Sequence, residues 1–344
     1  VNQAENQIQF IAEIGKNFID VHEELSVPEN LRKAIALVKA AKNSGANAVK
    51  FQTHVLRDEI LNKKFVSPHF NSADRYSWVK RNEAATPFND FWVPLKKYCD
   101  EEQVEFFSTP MSLAAAELLE KLGVKTWKVG SGDVTDLPLL KFLSSTKKPI
   151  IISSGMVSLK ELDFVVSYMN ALSSSPVILY CVSEYPCAPE RFNLSTITNF
   201  KKKFPKSIIG FSDHSIDSNL PVDWACSLGA RIIEKHFSFS RDAWGSDHKA
   251  SLTPTEFKEM VDQIRSNSFI KVDLDENFMG SEDKELEGAN NQFRKFFRKG
   301  LVYRKDLKSG STVRLEDLQS VRPMMLLEID AIDLEKIVGK RLTK

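Results

Sequence analysis

The sequence predicts an α/β fold: a closed (β/α)8 TIM barrel followed by a small β-rich domain. Three observations carry that prediction. Eight short apolar or β-branched runs alternate with amphipathic helical stretches over roughly the first 260 residues, the span of one barrel. The runs are apolar almost throughout, as strands buried on both faces are. Each run is followed by polar side chains, where a barrel gathers the C-terminal ends of its strands into one bowl.

The first run, Ile8–Ile14, brings Glu13 and Asn17 to its end and leads to a helix over Glu29–Asn43, with Gly45 beyond it. Ala48–Gln52 carries Lys50 and Gln52, with His54 just past it. Val104–Ser108 ends in Ser108-Thr109-Pro110 and feeds a helix over Leu113–Leu122, closed by Gly123. Thr126–Val129 holds Lys128 and is followed by Ser131-Gly132-Asp133. Ile150–Ser153 runs into Ser154-Gly155 and a helix over Leu159–Ala171. Val177–Val182 ends at Ser183 and Tyr185, before a helix over Leu194–Phe204. Ile208–Phe211 gives Ser212-Asp213-His214. Gly229 precedes the last run, Arg231–Glu234, which ends in Glu234-Lys235-His236, and a helix over Pro254–Arg265 completes the eighth unit. Proline or serine opens many of these helices, as first-turn and N-cap positions favour. An open doubly wound sheet would carry a glycine-rich phosphate turn after its first strand, and Glu13-Ile14-Gly15-Lys16-Asn17 is not one.

Beyond Arg265 the periodicity fades. Residues 1–280 are assigned to the barrel domain and 281–293 to a linker, within the acidic, polar stretch Glu276–Asn291. Residues 294–344 form a second unit of short strands and turns, with Lys299-Gly300-Leu301-Val302-Tyr303 and Asp306-Leu307-Lys308-Ser309-Gly310. No internal repeat or low-complexity tract is visible.

Formal net charge is +1, with 27% charged and 42% hydrophobic residues, so nothing global points to nucleic acid or an anionic membrane. Lys201-Lys202-Lys203 reads as a solvated helix face. Cys99, Cys181, Cys187 and Cys226 are scattered, which fits neither a disulfide framework nor a zinc cluster. No apolar run is long enough to span a bilayer, and Val1-Asn2-Gln3-Ala4-Glu5 lacks the features of a signal peptide. These traits predict a soluble cytoplasmic protein.

His214 and His236 end the seventh and eighth strands, neighbours in the barrel. Two neutral imidazoles with open positions beside them suit a catalytic divalent metal. His22, His54, His69 and His248 lack such placement and read as structural. Lys50 and Lys128 enter the same bowl, and a buried lysine calls for an anion. One of them could instead form an imine with a carbonyl substrate. Serines in Ser131-Gly132 and Ser153-Ser154-Gly155 add donors around a phosphate or carboxylate. Glu13, Asp133 and Asp247 supply carboxylates for water activation or for sugar hydroxyls. The residues alone give metal-assisted carbon–carbon chemistry or hydrolysis on an anionic substrate.

At these residues the sequence resembles the N-acetylneuraminate (sialic acid) synthase, or NeuB-like, family. The resemblance runs through Ile11-Ala12-Glu13-Ile14-Gly15, Val49-Lys50-Phe51-Gln52-Thr53, Phe107-Ser108-Thr109-Pro110 and Trp127-Lys128-Val129-Gly130-Ser131-Gly132-Asp133. It continues through Ser153-Ser154-Gly155-Met156, Cys181-Val182-Ser183-Glu184-Tyr185-Pro186, Gly210-Phe211-Ser212-Asp213-His214-Ser215, Ile233-Glu234-Lys235-His236-Phe237 and Gly245-Ser246-Asp247-His248-Lys249-Ala250-Ser251-Leu252. The tail resembles the family's SAF (antifreeze-like) domain through Lys299-Gly300-Leu301-Val302, Asp306-Leu307-Lys308-Ser309-Gly310 and Val321-Arg322-Pro323.

The resemblance implies condensation of phosphoenolpyruvate with an N-acylated hexosamine, giving a nine-carbon 2-keto sugar acid and phosphate. The sugar would be N-acetylmannosamine or a 2,4-diacetamido-6-deoxyhexose. Lys50, Lys128, Ser131, Ser153 and Ser212 would hold phosphoenolpyruvate, and His214 and His236 would bind Mn2+ or Mg2+. Glu13 would handle the water that adds at C2, with Asp133 as a second catalytic carboxylate. Gln52, Tyr185 and Asp247 would contact the sugar. Arg322 would reach the sugar's acyl group from a partner's SAF domain, in a domain-swapped homodimer. Three departures stand out: Asn17-Phe18 for Asn-His, Ser131-Gly132-Asp133 for Ser-Gly-Glu, and Met324-Met325-Leu326-Leu327 for a glycine-rich continuation after Arg322-Pro323. The last of these suggests an abbreviated SAF domain. The competing readings are a metal-dependent hydrolase or lyase on the same barrel and a non-catalytic sugar-binding descendant.

Overall fold

The computed structural model describes residues 7–67, 73–217, 220–266, 276–284, 286 and 293–343. Eight parallel strands make the barrel: β1 (Gln9–Gly15), β2 (Ala48–Thr53), β3 (Glu105–Pro110), β4 (Trp127–Val129), β5 (Ile150–Ser153), β6 (Val177–Cys181), β7 (Ile209–Asp213) and β8 (Ile232–His236). They hydrogen-bond in the order β3-β2-β1-β8-β7-β6-β5-β4, and β4 lies beside β3 to complete the ring. At the start of that seam Thr126 Oγ1 donates to Glu105 Oε1 (2.5 Å). The predicted fold class is the observed one. Strands β7 and β8 outlast their apolar runs by two residues, because ladder pairing continues into the polar ends: His236 still pairs with Glu13 of β1.

The helices are set by local chemistry. The helix Leu159–Ala171 opens with a reciprocal capping box, Glu161 N donating to Ser158 Oγ (3.3 Å) and Ser158 N to Glu161 Oε2 (2.9 Å). Thr253 and Glu256 repeat the device at the helix Pro254–Arg265. Apolar residues such as Leu162, Val165, Val166 and Met169 turn the covered face of such a helix onto the sheet.

Side-chain alternation then divides each strand between two cores. Ile11, Ala48, Phe107, Ile151, Leu179 and Ile232 form a small apolar plug inside the barrel. Their strand neighbours, such as Ala12, Val49, Phe106, Ile152 and Ile233, face the helices and join the large outer core. Two residues beyond the plug, on the same inward face, come Glu13, Lys50, Thr109, Ser153, Cys181 and Glu234. The bowl is therefore the next layer up from a closed apolar floor.

After the barrel, a turn of helix at Arg294–Phe297 precedes an antiparallel pair, β9 (Gly300–Tyr303) and β10 (Leu318–Val321). The predicted linker 281–293 and His69 lie largely or wholly outside the described residues. The tail is docked on its own barrel. Arg322 N donates to Glu59 O (2.9 Å) and Leu61 N to Arg322 O (2.9 Å), extending β10 along the segment after β2. Lys299 reaches Asp136 (3.0 Å) and Asp133 (3.2 Å), Ser320 Oγ donates to Asp136 (2.9 Å), and Arg294 and Arg298 both hold Glu161. A Cβ on Gly132 would come within 2.9 Å of Phe297, so the barrel loop and tail meet closely only because that residue is glycine. Among the described residues no helix is long and apolar enough to cross a membrane.

Candidate active site

The strand ends converge on one pocket lined by Glu13, Lys50, Gln52, Lys128, Ser131, Asp133, Ser153, Tyr185, Ser212, His214, His236, Asp247 and Arg322. Thus every residue that the sequence singled out for chemistry is brought to the same wall. Between them the period of two sorts the polar ends. Asp213 and Lys235, flanked by inward-facing residues, pair with each other on the far side of the sheet, where Lys235 also donates to Ser215 O (3.0 Å). They brace the ends of β7 and β8 outside the pocket.

At the floor of the bowl Lys50 Nζ lies 3.1 Å from Glu13 and 3.2 Å from Glu234, and Lys128 Nζ lies 3.8 Å from Glu234. Burial opposes the Lys50 charge, but the two carboxylates outweigh it and hold its ammonium above the ordinary range. Burial prevails at Lys128 and lowers it to about 8. Glu234 resists burial because Lys128 and Lys50 flank it, and falls to about 2. Glu13 is raised, first by burial, with Lys50 and His236 pulling the other way. The two carboxyls are thereby pushed apart, one toward the acid and one toward the anion. Lys128 donates to Ser153 Oγ (2.6 Å), Ser212 Oγ to Glu234 Oε1 (3.1 Å), and Ser131 Oγ lies 3.2 Å from Cys181 Sγ.

His214 and His236 stand with ring centroids 5.4 Å apart. His214 Nδ1–H donates to Val182 O (2.6 Å), which leaves the Nε2 lone pair available, and burial lowers this imidazole to about 3, so it is neutral. His236 Nδ1 is buried with no hydrogen-bond partner. A held tautomer and an orphaned buried nitrogen on neighbouring strands fit a divalent cation bound through two protein ligands. Among the described residues no cluster of three or more histidine, cysteine or acidic side chains adds to them, so remaining positions would fall to water or substrate.

Tyr185 lies against His214 (centroids 4.1 Å) and meets His236 edge-on, and burial raises its phenol well above the ordinary value, keeping it a donor. Gln52 Nε2 donates to Glu13 Oε1 (3.0 Å). Gln52, Glu13 and Asp247 all lie within 3.3 Å of where Gly15, at φ +54°, would carry a Cβ, so this glycine makes room for three polar groups. Asp133, expected as a second catalytic carboxylate, lines the bowl and is bound by Arg322 and Lys299. Arg322, which the resemblance assigns to a partner's site, lies here in its own chain's bowl. The backbone clamp to Glu59 and Leu61 explains why. Phe18, where the resemblance leads one to expect histidine, is 1% exposed and packs on Phe51 and Phe91, while Asn17 donates to Phe237 O and Ser251 Oγ.

Sequence reasoning left Lys16, Arg75, Phe293 and Phe297 out of the site and gave Glu234 no role beyond that of a polar strand end, and all five line the pocket. Glu234 was within reach, being two residues from His236 on the same strand. Arg75 opens the helix Arg75–Ala85, outside the strand–loop pattern, and nothing local marks it. Although read as structural, His54 lies just behind the wall, 2.6 Å from Glu59 and 3.2 Å from Lys16.

Fold and site together define a barrel enzyme whose strand ends gather lysines, carboxylates and two available imidazoles around one substrate bowl. The chain belongs to the NeuB family, whose model matches residues 37–272. It is 33% identical over 325 residues to N,N'-diacetyllegionaminic acid synthase of Legionella pneumophila, covering 91% of this chain and 87% of that protein. It is 31% identical over 335 residues to human N-acetylneuraminate-9-phosphate synthase, covering 96% and 87%. Among solved structures it resembles the spore coat polysaccharide biosynthesis protein SpsE of Bacillus subtilis, with TM-score 0.78 and 28% identity over 97% of this chain and 90% of that one. It is an enzyme of the sialic-acid-synthase type.

Proposed function

We propose that this enzyme condenses phosphoenolpyruvate with an N-acylated hexosamine to give a nine-carbon 2-keto sugar acid and phosphate. The observation that carries the reading is the buried Lys50–Lys128 pair, ringed by serine hydroxyls beside two imidazole nitrogens. Lys50, Lys128, Ser131, Ser153 and Ser212 hold the phosphate and carboxylate of phosphoenolpyruvate by charge-assisted hydrogen bonds. His214 and His236 would hold Mn2+ or Mg2+, which supplies Lewis-acid polarisation of the sugar aldehyde.

The enol carbon forms the new bond to the aldehyde carbon, water adds at C2, and the C2–O bond to phosphate breaks as the C2 hydroxyl becomes the keto group, its proton ending on the former aldehyde oxygen. Glu13, raised by burial and fixed by Gln52, takes the proton of that water and returns it to the departing phosphate. Tyr185 and Asp247 orient the sugar, and Arg322, positioned by Asp133, faces its acyl oxygen. The acceptor is N-acetylmannosamine or a 2,4-diacetamido-6-deoxyhexose, or a derivative of one of them.

The test is phosphate release from phosphoenolpyruvate with Mn2+ and a panel of N-acylated hexosamines, with the product's mass determined. A sugar-dependent release with a mass equal to sugar plus pyruvate is expected. Release without sugar incorporation would point to a hydrolase instead.

A further inference from the structure

Five cationic side chains line the bowl: Lys16, Lys50, Arg75, Lys128 and Arg322. Three of them have carboxylate partners, Lys50 and Lys128 at the floor and Arg322 at Asp133. Lys16 and Arg75 form no ion pair with any described residue. Arg75 is 5% exposed, its Nε has no hydrogen-bond partner, and its guanidinium lies 5.1 Å over the Phe297 ring. Lys16, also 5% exposed, meets only the neutral His54 imidazole (3.2 Å) and the face of Trp78 (5.6 Å). Glu59 and Asp247 act on both cations from beyond ion-pair distance, and two buried cations that no described carboxylate touches are costly unless a ligand supplies the contact. The strain shows in Lys16, which burial first and Arg75 next push down to about 7.

We propose that the acceptor sugar of this enzyme carries an anionic group, a phosphate or a carboxylate, held by Lys16 and Arg75. The inference rests on the condensation reading and sharpens it. Lys50, Lys128 and three serines already account for phosphoenolpyruvate, so the second cationic pair falls to the other substrate. Asp247 acts electrostatically on both Lys16 and Arg75 and stands beside Gly15, which puts the anion next to the residue that orients the sugar hydroxyls. Arginine's fork can bond two anion oxygens while lysine adds a point charge. A 6-deoxy acceptor has no oxygen at C6 to bear a phosphate, so a sugar charged at C6 is the expected class.

The experiment compares kcat/KM of the metal-loaded enzyme for N-acetylmannosamine, its 6-phosphate and its 6-carboxylate, in wild type, Lys16→Met, Arg75→Gln and Arg75→Lys. Wild type is expected to prefer one charged sugar by roughly 30-fold or more, from charge-assisted bonds to a desolvated anion. Which of the two it prefers identifies the anion. The preference should fall toward unity in Lys16→Met and Arg75→Gln and survive in large part in Arg75→Lys, which keeps the charge. A wild-type enzyme indifferent to the charge, or variants that raise the KM of phosphoenolpyruvate instead, would overturn the proposal. Should none of the sugars turn over, phosphate release with a 2,4-diacetamido-6-deoxyhexose decides the condensation reading, and calorimetry with N-acetylmannosamine 6-phosphate decides the subsite alone. Binding that Arg75→Gln weakens would support it, and binding no tighter than that of the neutral sugar would sink it.

Discussion

The bowl and the tail both bury charge, and they do so in opposite ways. In the tail every described buried cation meets a carboxylate: Lys299 on Asp136 and Asp133, Arg298 on Glu161 and Asp330, Arg322 on Asp133. In the bowl Lys50 and Lys128 share Glu234, Lys50 also meets Glu13, His236 keeps an orphaned nitrogen, and among the described residues Lys16 and Arg75 have no ion-pair partner. Charge that is matched internally holds one piece of the chain on another. Charge left unmatched is held ready for something that binds.

The largest expected effect lies in the bowl. His214→Ala and His236→Ala should each abolish turnover while Tm holds, because neither nitrogen is needed by the fold and two ligands cannot cover for one another. EDTA should inactivate the wild type and Mn2+ restore it. Full turnover of metal-stripped enzyme would break the reading of these nitrogens as ligands.

In the tail the order reverses. Lys299→Met leaves Asp136 without its buried cation and Asp133 with Arg322 alone, and should cost about 3–5 kcal/mol of stability. The check is a urea or thermal unfolding curve. A stable variant with impaired kinetics would move Lys299 from docking to catalysis.

Lys50→Met and Lys128→Met should weaken phosphoenolpyruvate binding by about 2–4 kcal/mol, read as KM or by calorimetry. Unchanged phosphoenolpyruvate affinity with loss of sugar binding would exchange the two half-sites.

Arg322 belongs to both regions, and a subunit-mixing assay sharpens the contrast. With Arg322 in its own bowl, mixing inactive Arg322→Ala and His236→Ala chains should recover no activity. Recovery after subunit exchange would show that in a homodimer the arginine serves the partner.

The smallest effect is in the network joining the two regions, Lys16–His54–Glu59–Arg322. Burial lowers His54 to about 4, so the unfolded chain takes up a proton near pH 6.5 while the folded one resists until about 4. Stability contributed by the neutral imidazole is present above pH 6.5 and is lost as pH falls toward 4. Tm should therefore drop across that window, and His54→Gln should make the drop shallower. An identical slope would remove His54 from the account.

Most of the barrel was legible because its signals are local. Apolar runs, capping residues and terminal glycines place the strands and helices, and the rule that strand ends meet in one bowl gathers Glu13, Lys50, Lys128, Ser153, Ser212, His214 and His236 from the sequence alone. The same rule over-collected, since it does not tell Lys235 from Glu234 or Asp213 from Ser212. Alternation against the apolar plug makes that distinction, and the plug is known only once the strands are in register.

The sequence by itself determined the fold class, the strand ends that carry chemistry and the family, because short-range periodicity and motif order are written in adjacent residues. Only the tertiary structure decided that Arg322 meets Asp133 of its own barrel, that Asp133 is engaged by the tail, and that Arg75, from a helix outside the strand pattern, stands beside Lys16 with no ion-pair partner among the described residues. Those are meetings of residues up to nearly two hundred positions apart. Their energy depends on which charges share a buried space, and that is fixed by packing rather than by spacing along the chain.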